Sequence, residues 1–180
     1  MPRGTTPRRT GRSLAVLRKL LVGLGVFAAL IGLVVLTGYA LPVRHVASGA
    51  ATFGQPADRV YAALTDVENH PQWRPDVKSV EVLSSAPSKR WREDGVSDSI
   101  TFEVTDAQPP SRLVTRIADP DLSFGGTWTY ELRSDDSGTR LTITEHGEVY
   151  NPLFRFMSRF VFGHTATIDQ FLSDLKKHLG

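Results

Sequence analysis

From Leu20 to Leu41 the chain runs for 22 residues without a charged side chain. A helix needs about 20 apolar residues to cross the hydrocarbon core of a bilayer, and few buried helices of water-soluble domains go so long without a charge. The run therefore predicts a transmembrane helix, closed by Pro42. The alternative is a cleaved signal peptide, with Gly38-Tyr39-Ala40 as a poor cleavage site. The apolar region of a signal peptide is usually only ~7–15 residues, so length favours an uncleaved anchor. Within the run, Gly23-Leu24-Gly25-Val26-Phe27-Ala28 matches the GxGxxA dinucleotide fingerprint. That motif needs a preceding strand and an acidic residue about 20 positions on, and the first acid in the chain is Asp58. Its glycines read as membrane-helix residues, and Gly25 with Ala29 forms at most a weak small-residue packing face.

Charge gives the orientation. The 180 residues hold 21 Lys plus Arg and 19 Asp plus Glu, a net of +2. Six of the basic residues, Arg3, Arg8, Arg9, Arg12, Arg18 and Lys19, precede the apolar run, and no acid accompanies them. Residues 20–180 thus carry 15 basic and 19 acidic side chains, a net of −4. A nucleic-acid partner is not expected, because the globular part offers phosphates no net attraction. Arg44 is the only Lys or Arg between Pro42 and Gln55. By the positive-inside rule the tail stays in the cytoplasm and the rest of the chain crosses. The expected organisation is a basic cytoplasmic tail over 1–19, a transmembrane helix over 20–41 and one domain over 43–180 on the extracytoplasmic side. The absence of cysteine excludes disulfide scaffolds, Cys-type zinc sites and thiol nucleophiles, and leaves the compartment open.

Beyond Pro42 an extended stretch runs from about Val43 to Phe53. Gln55-Pro56-Ala57-Asp58 opens a short helix with Val60, Tyr61 and Leu64 facing a core. Asp66 to Pro75, broken by Pro71 and Pro75, reads as a second short helical turn and loop containing Trp73. The period then changes to two. Val80 and Val82; Ile100, Phe102 and Val104; Leu113, Thr115 and Ile117; Trp128, Tyr130 and Leu132; Leu141 and Ile143 all alternate with polar neighbours. Trp91, on a short strand near Lys89 to Glu93, is a candidate member. The pattern predicts an antiparallel meander with one buried face. From Leu153 to Leu179 apolar residues keep helical spacing for about seven turns, with Asn151-Pro152 as the start signal and Lys176, Lys177 and His178 suiting the C-terminal dipole. Gly163 lies within this helix as a point for a bend or close packing. The expected class is α+β, a curved sheet covered by a long helix.

This order resembles the helix-grip fold of the START-like superfamily, and within it the polyketide cyclase/dehydrase-like group of SRPBCC proteins. The likeness is carried by Phe53-Gly54-Gln55-Pro56-Ala57-Asp58-Arg59-Val60-Tyr61, by Leu64-Thr65-Asp66 and Pro71-Gln72-Trp73, and by Gly138-Thr139-Arg140-Leu141-Thr142-Ile143-Thr144-Glu145 running into Asn151-Pro152-Leu153. It covers about residues 43–180. The resemblance implies a curved sheet wrapping the C-terminal helix, with a cavity between them for an apolar small molecule such as a lipid, sterol, polyketide or quinone. A few such domains are cyclases or dehydratases.

Alternation and helical spacing give the expected lining: Trp73, Phe102, Thr115, Trp128, Tyr130 and Ile143, with Met157, Phe160, His164 and Ile168 from the helix. Each apolar residue among them also fits a plain core position. Glu145 continues the inward register of Leu141 and Ile143, where an unpaired carboxylate is costly to bury. His164 is its candidate partner, and Glu145, His164 and Tyr130 are the candidate acid/base groups. Equally plain alternatives are a rim position for Glu145 and a satisfied core position for His164. His70, before Pro71, reads as an exposed turn residue. His146 and Glu148 share a strand face at i, i+2, without the third ligand a metal site needs. Arg112 and Arg116 read as outward and solvated. There is no GxSxG, HExxH or Walker A pattern, and no metal or cofactor is expected. Three functions fit: a membrane-anchored hydrophobic-ligand binder, a cyclase/dehydratase-like enzyme, and an interaction domain with a filled core.

Overall fold

The computed structural model describes residues 10–96, 98–136 and 138–180. Arg3, Arg8 and Arg9 of the basic tail, and the side chain of Arg12, lie outside the described part. A helix, α1 (Thr10–Ala40), opens the chain. Its segment Leu14–Ala40 has a mean hydropathy of 2.7 and is long and apolar enough to cross a membrane. It starts well before Leu20, so Arg18 and Lys19 extend the helix. Protein covers little of it until its last turns.

Seven strands follow: β1 (Arg44–Phe53), β2 (Val77–Ser84), β3 (Arg90–Gly95), β4 (Ser99–Gln108), β5 (Arg112–Ile117), β6 (Phe124–Asp135) and β7 (Gly138–Val149). They form one antiparallel sheet in the order β1-β7-β6-β5-β4-β3-β2. Strands β2 to β7 are therefore a meander, and β1 closes onto β7 with Arg44 opposite Glu148 and Phe53 opposite Thr139. Between β1 and β2 lie α2 (Ala57–Thr65), a 3-10 turn and the short α3 (His70–Trp73). After β7 come α4 (Pro152–Met157), a π-helical turn (Ser158–Phe162) and α5 (Ala166–Leu179). The fold is α+β and of the helix-grip type, as expected.

One expectation needs correction: the C-terminal helix is not continuous. Asn151 starts α4 as a capping residue, its Oδ1 accepting from the backbone N–H of Leu153 at 2.9 Å. The chain then widens into the π turn and breaks at Gly163, whose φ of 76° lies in the left-handed region that glycine enters without strain. Apolar spacing persisted across this break, so periodicity alone could not reveal it.

Beyond the break, α5 buries Ile168, Phe171, Leu172 and Leu175 against the sheet. Each contributes roughly 1.5–3 kcal/mol by leaving water. They meet Leu132, Leu141 and Ile143 from the strands, and Val60 and Leu64 from α2. The helix approaches β1 so closely that a Cβ at Gly49 would come 2.7 Å from Ile168 Cγ2.

The end of α1 is docked on α4. A Cβ at Gly38 would overlap the backbone of Pro152, so glycine permits the approach. Arg155 is buried; its Nη1 donates to the Leu41 carbonyl at 2.9 Å and its Nη2 to the Tyr150 carbonyl at 3.3 Å. Its guanidinium also lies 6.0 Å from the Tyr39 ring centre. The Leu41 carbonyl belongs to the helix end, where carbonyls lack intrahelical partners. A cation there is favourable for the helix dipole as well. Replacing Arg155 by Met removes about 1.5–3 kcal/mol of charge-assisted bonding. Amide exchange in α4 of the full-length protein is then expected to quicken by about tenfold or more; unchanged exchange would mean that other contacts hold the junction.

Candidate functional site

The inner face of each long strand passes from packed core to open cavity along its length. On β6, Leu132 is core and Trp128 lines the cavity; on β7, Leu141 and Ile143 are core and Glu145 lines the cavity. Helix α5 behaves alike, with Leu172 and Leu175 in the core and Ala166 and Thr167 at the cavity, and His164 just before it also lines the cavity. The cavity has a volume of about 730 Å³ and a mostly apolar wall that includes Trp91, Ile100, Phe102, Leu113, Ile117, Phe124 and Phe171. An open space thus lies beside the packed core of this domain.

Of the residues expected to line it, Phe102, Thr115, Trp128, Tyr130 and His164 do, and so does Glu145. Ile143 and Ile168 are wholly buried in the core instead. Trp73 packs on the outer side of that core, edge-on to Phe171 at 5.4 Å and stacked on His178 at 5.6 Å. Met157 and Phe160 precede the break at Gly163 and leave the helical face that the sequence pattern gave them; Phe160 is 59% exposed.

Among the polar side chains of the wall, two clusters stand out. The first joins β1, β7 and the segment around Gly163. His45 Nε2 lies 3.4 Å from Glu145 Oε1, and the His45 ring stacks on His164 with centres 4.1 Å apart. Ser158 Oγ lies 3.1 Å from His164 Nδ1. Gly147, opposite His45 in the ladder, makes room, since a Cβ there would overlap the His45 ring and the Glu145 carboxylate. Burial lowers the His45 pKa. Burial also lowers that of His164, helped by the nearby charges of His45 and Arg159. Burial raises that of Glu145, although Trp128 and His164 pull the other way. These shifts favour uncharged imidazoles near neutral pH.

The second group lies at the opposite wall and involves His70, which is buried with 4% exposure rather than exposed in a turn. The short helix α3 turns its ring inward, and His70 Nδ1 donates to Glu93 Oε1 at 2.9 Å. Arg74 Nη1 donates to both Glu93 oxygens, at 3.1 and 2.9 Å, and Trp91 Nε1 donates to Oε1 at 3.1 Å. Burial alone would raise the Glu93 pKa, but the His70 hydrogen bond and the Arg74 charge outweigh it and hold it below the usual carboxylate range. His70 Nε2 has no hydrogen-bond partner among the described residues. His70, Arg74 and Glu93 all contribute to the cavity wall beside Tyr130, whose hydroxyl is kept protonated chiefly by burial.

Sequence reasoning missed His45, Arg74, Glu93 and Ser158. Two left a signal: His45 is in phase with the small inward residues Ala47, Gly49 and Ala51, and Glu93 lies two positions from Trp91, hence on the same strand face. Arg112 and Arg116 are paired with Asp106 and Glu103 toward the outside. Among the described residues no cluster has the makings of a metal site.

A family model described as polyketide cyclase / dehydrase and lipid transport matches residues 44–180. The chain belongs to this family. Among curated proteins, none matches the sequence. Solved structures share its fold at low identity. The di-domain aromatase/cyclase StfQ from the steffimycin biosynthetic pathway has a TM-score of 0.63 and 14% identity over 76% of this chain and 51% of its own. The Zhui aromatase/cyclase from Streptomyces sp. R1128 gives 0.60 and 15%, over 76% of this chain and 93% of its own. A START superfamily protein from Mycobacterium smegmatis gives 0.59 and 19%, over 75% and 97%. This family member thus spans about half the length of the di-domain protein.

Removing one partner of the buried Arg74–Glu93 pair leaves the other charge uncompensated, so Arg74→Met is expected to cost about 3–5 kcal/mol in urea unfolding. Because the Glu93 pKa is lowered on folding, its stabilisation is complete above the ordinary carboxylate value and is lost as pH falls through the lower folded value. Glu93→Gln should flatten that acid limb of the stability profile; an unchanged limb would assign it to other carboxylates.

Proposed function

We propose that the protein is a membrane-anchored module that binds a hydrophobic small molecule or lipid in the cavity between its sheet and α5. The observation that carries this reading is the cavity itself. Its volume of about 730 Å³ falls in the ~300–1,000 Å³ range of small-molecule sites, and its wall is mostly aromatic and aliphatic. The long apolar helix supports the anchor, and the excess of Arg and Lys before it supports an extracytoplasmic domain. An apolar ligand fits a tethered binder, because tethering keeps the cavity beside the phase in which such a ligand dissolves. Trp73 takes no direct part in this reading; Phe102, Thr115, Trp128 and Tyr130 are the proposed ligand contacts.

A second reading, a cyclase/dehydratase-like enzyme, draws on one observation: His45, Glu145, His164 and Ser158 meet at the same cavity. Uncharged imidazole beside a carboxylate is suited to moving a proton on a bound polyketide-like substrate. The binding reading accounts for more of the wall, because most of its accessible surface is apolar.

Native mass spectrometry of the full-length protein taken from its own membrane, with lipid extraction, tests the two. One copurifying apolar species is expected. An empty cavity that turns over an added polyketide would favour the enzyme. Ile117→Arg, which places a guanidinium on the apolar wall, is expected to reduce retention of that species by about tenfold or more. In a topology assay, a reporter fused after Gly180 is expected to be active only outside the cytoplasm; cytoplasmic activity would reverse the orientation.

A further inference from the structure

A second cavity, of about 370 Å³, lies at the foot of α1. Its wall includes Leu41, Pro42 and Val43, the residues by which the chain leaves the long apolar helix. It shares His45, Val149, Ser158 and His164 with the large cavity. These four residues, among them the stacked rings of His45 and His164, therefore border both spaces. Val46 on the wall of this outer cavity and Phe154, Phe160 and Val161 on α4 and the π turn are all at least half exposed, interspersed with the exposed Arg44 and Arg159. A patch of this kind marks an interaction surface. The occupant follows from position, since α4 and the π turn are fixed to the last turn of α1 by Arg155 and by the Gly38–Pro152 contact.

We infer that the outer cavity is a vestibule facing the lipid bilayer, and that an apolar ligand passes from the membrane leaflet into the large cavity between His45, His164 and Ser158. The inference rests on the membrane-anchored binding reading. Bilayer lipid covers the exposed residues of α4 and the π turn, as apolar interfacial segments do. Such a ligand travels from lipid to cavity without crossing water, which an entrance on the distant β2–β3 side would require. At the gate itself two stacked imidazoles held uncharged by burial face the passage, while Arg44, Arg155 and Arg159 line the outer cavity and Glu145 lies behind His45. The gate can also open: Ser158 and His164 flank the π turn and Gly163, whose open surroundings place no atom within 4 Å of a Cβ position. A shift of this segment would part His164 from His45 while β1 stays paired to β7.

The chain has no cysteine, so a single one can be used as a reversible plug. Ser158→Cys in the full-length protein, reconstituted into phosphatidylcholine vesicles, is labelled with benzyl methanethiosulfonate. It is then mixed in a stopped-flow cell with vesicles carrying anthroyloxy-palmitate. Energy transfer from Trp91 and Trp128, on the large cavity wall, reports loading. The label is expected to slow loading by about tenfold or more, with the same final amplitude, and dithiothreitol is expected to restore the rate. Ser85→Cys, exposed between β2 and β3, should load at the unlabelled rate after the same treatment. Equal rates with and without the label at position 158, at equal amplitude, would overturn the vestibule route and leave the binding reading standing. Absence of saturable transfer in the unsubstituted protein would overturn the binding reading and the route with it.

Discussion

Everything in this domain depends on how α5 lies across the sheet. Gly49 lets Ile168 sit against the backbone of β1, and from there the helix keeps Phe171, Leu172 and Leu175 in contact with strand side chains. Over that length the interior is packed. Toward its N-terminus the helix stops at Thr165 and the chain turns aside at Gly163, so the strands continue with nothing filling the space above them. The cavity opens between the sheet and the N-terminal part of α5, where Ala166, Thr167, Gln170 and Phe171 form part of its wall. A continuous helix would have placed Met157 and Phe160 over the same strands and closed much of it.

That division explains the placement of polar groups. A carboxylate is costly in the packed half and tolerable in the hollow half, where hydrogen-bond donors and ligand or water can reach it. Glu145 lies one step beyond Ile143 on the same inner face, at the boundary. Glu93 is more deeply buried and remains ionised only because His70, Arg74 and Trp91 together donate four hydrogen bonds to it. Such a pair is weak evidence for added stability, since desolvation offsets much of its attraction. Its structural effect is to tie α3 to β3, which positions that wall of the cavity.

Strand alternation revealed the meander, the inward faces and the phase of Glu145, because a period of two leaves no freedom once one face is buried. It could not say where along a strand core gives way to cavity. That boundary is set by a helix in a distant part of the chain, and so Ile143 and Ile168 were indistinguishable from Thr115 and Trp128. Gly163 was legible as a point for a bend but not as a full break, because apolar residues, exposed before it and buried after it, kept the helical period on both sides. His70 was misread for a related reason. A histidine before proline between two short helices looks like a surface turn until its carboxylate partner, 23 residues away, is in view. The family resemblance conveyed the fold order, but not the polar clusters.

The exposed residues of α4 and the π turn also bear on how α1, the proposed anchor, meets the domain. A flexible tether would suffice to keep a binder near a membrane, and would leave its orientation free. Here Arg155 closes the end of α1 with a side chain from the domain, and Gly38 allows α4 to lie directly against it. This geometry restricts rotation of the domain about the helix axis. It holds one particular edge, formed by β1 and the π turn, next to the helix exit. Under the proposed anchoring, a fixed orientation is of use only if different faces of the domain meet the membrane differently. The asymmetry matches that requirement: α4 and the π turn expose Phe154, Phe160 and Val161, whereas the outer face of β4 and β5 carries ion pairs among Arg112, Arg116, Glu103 and Asp106.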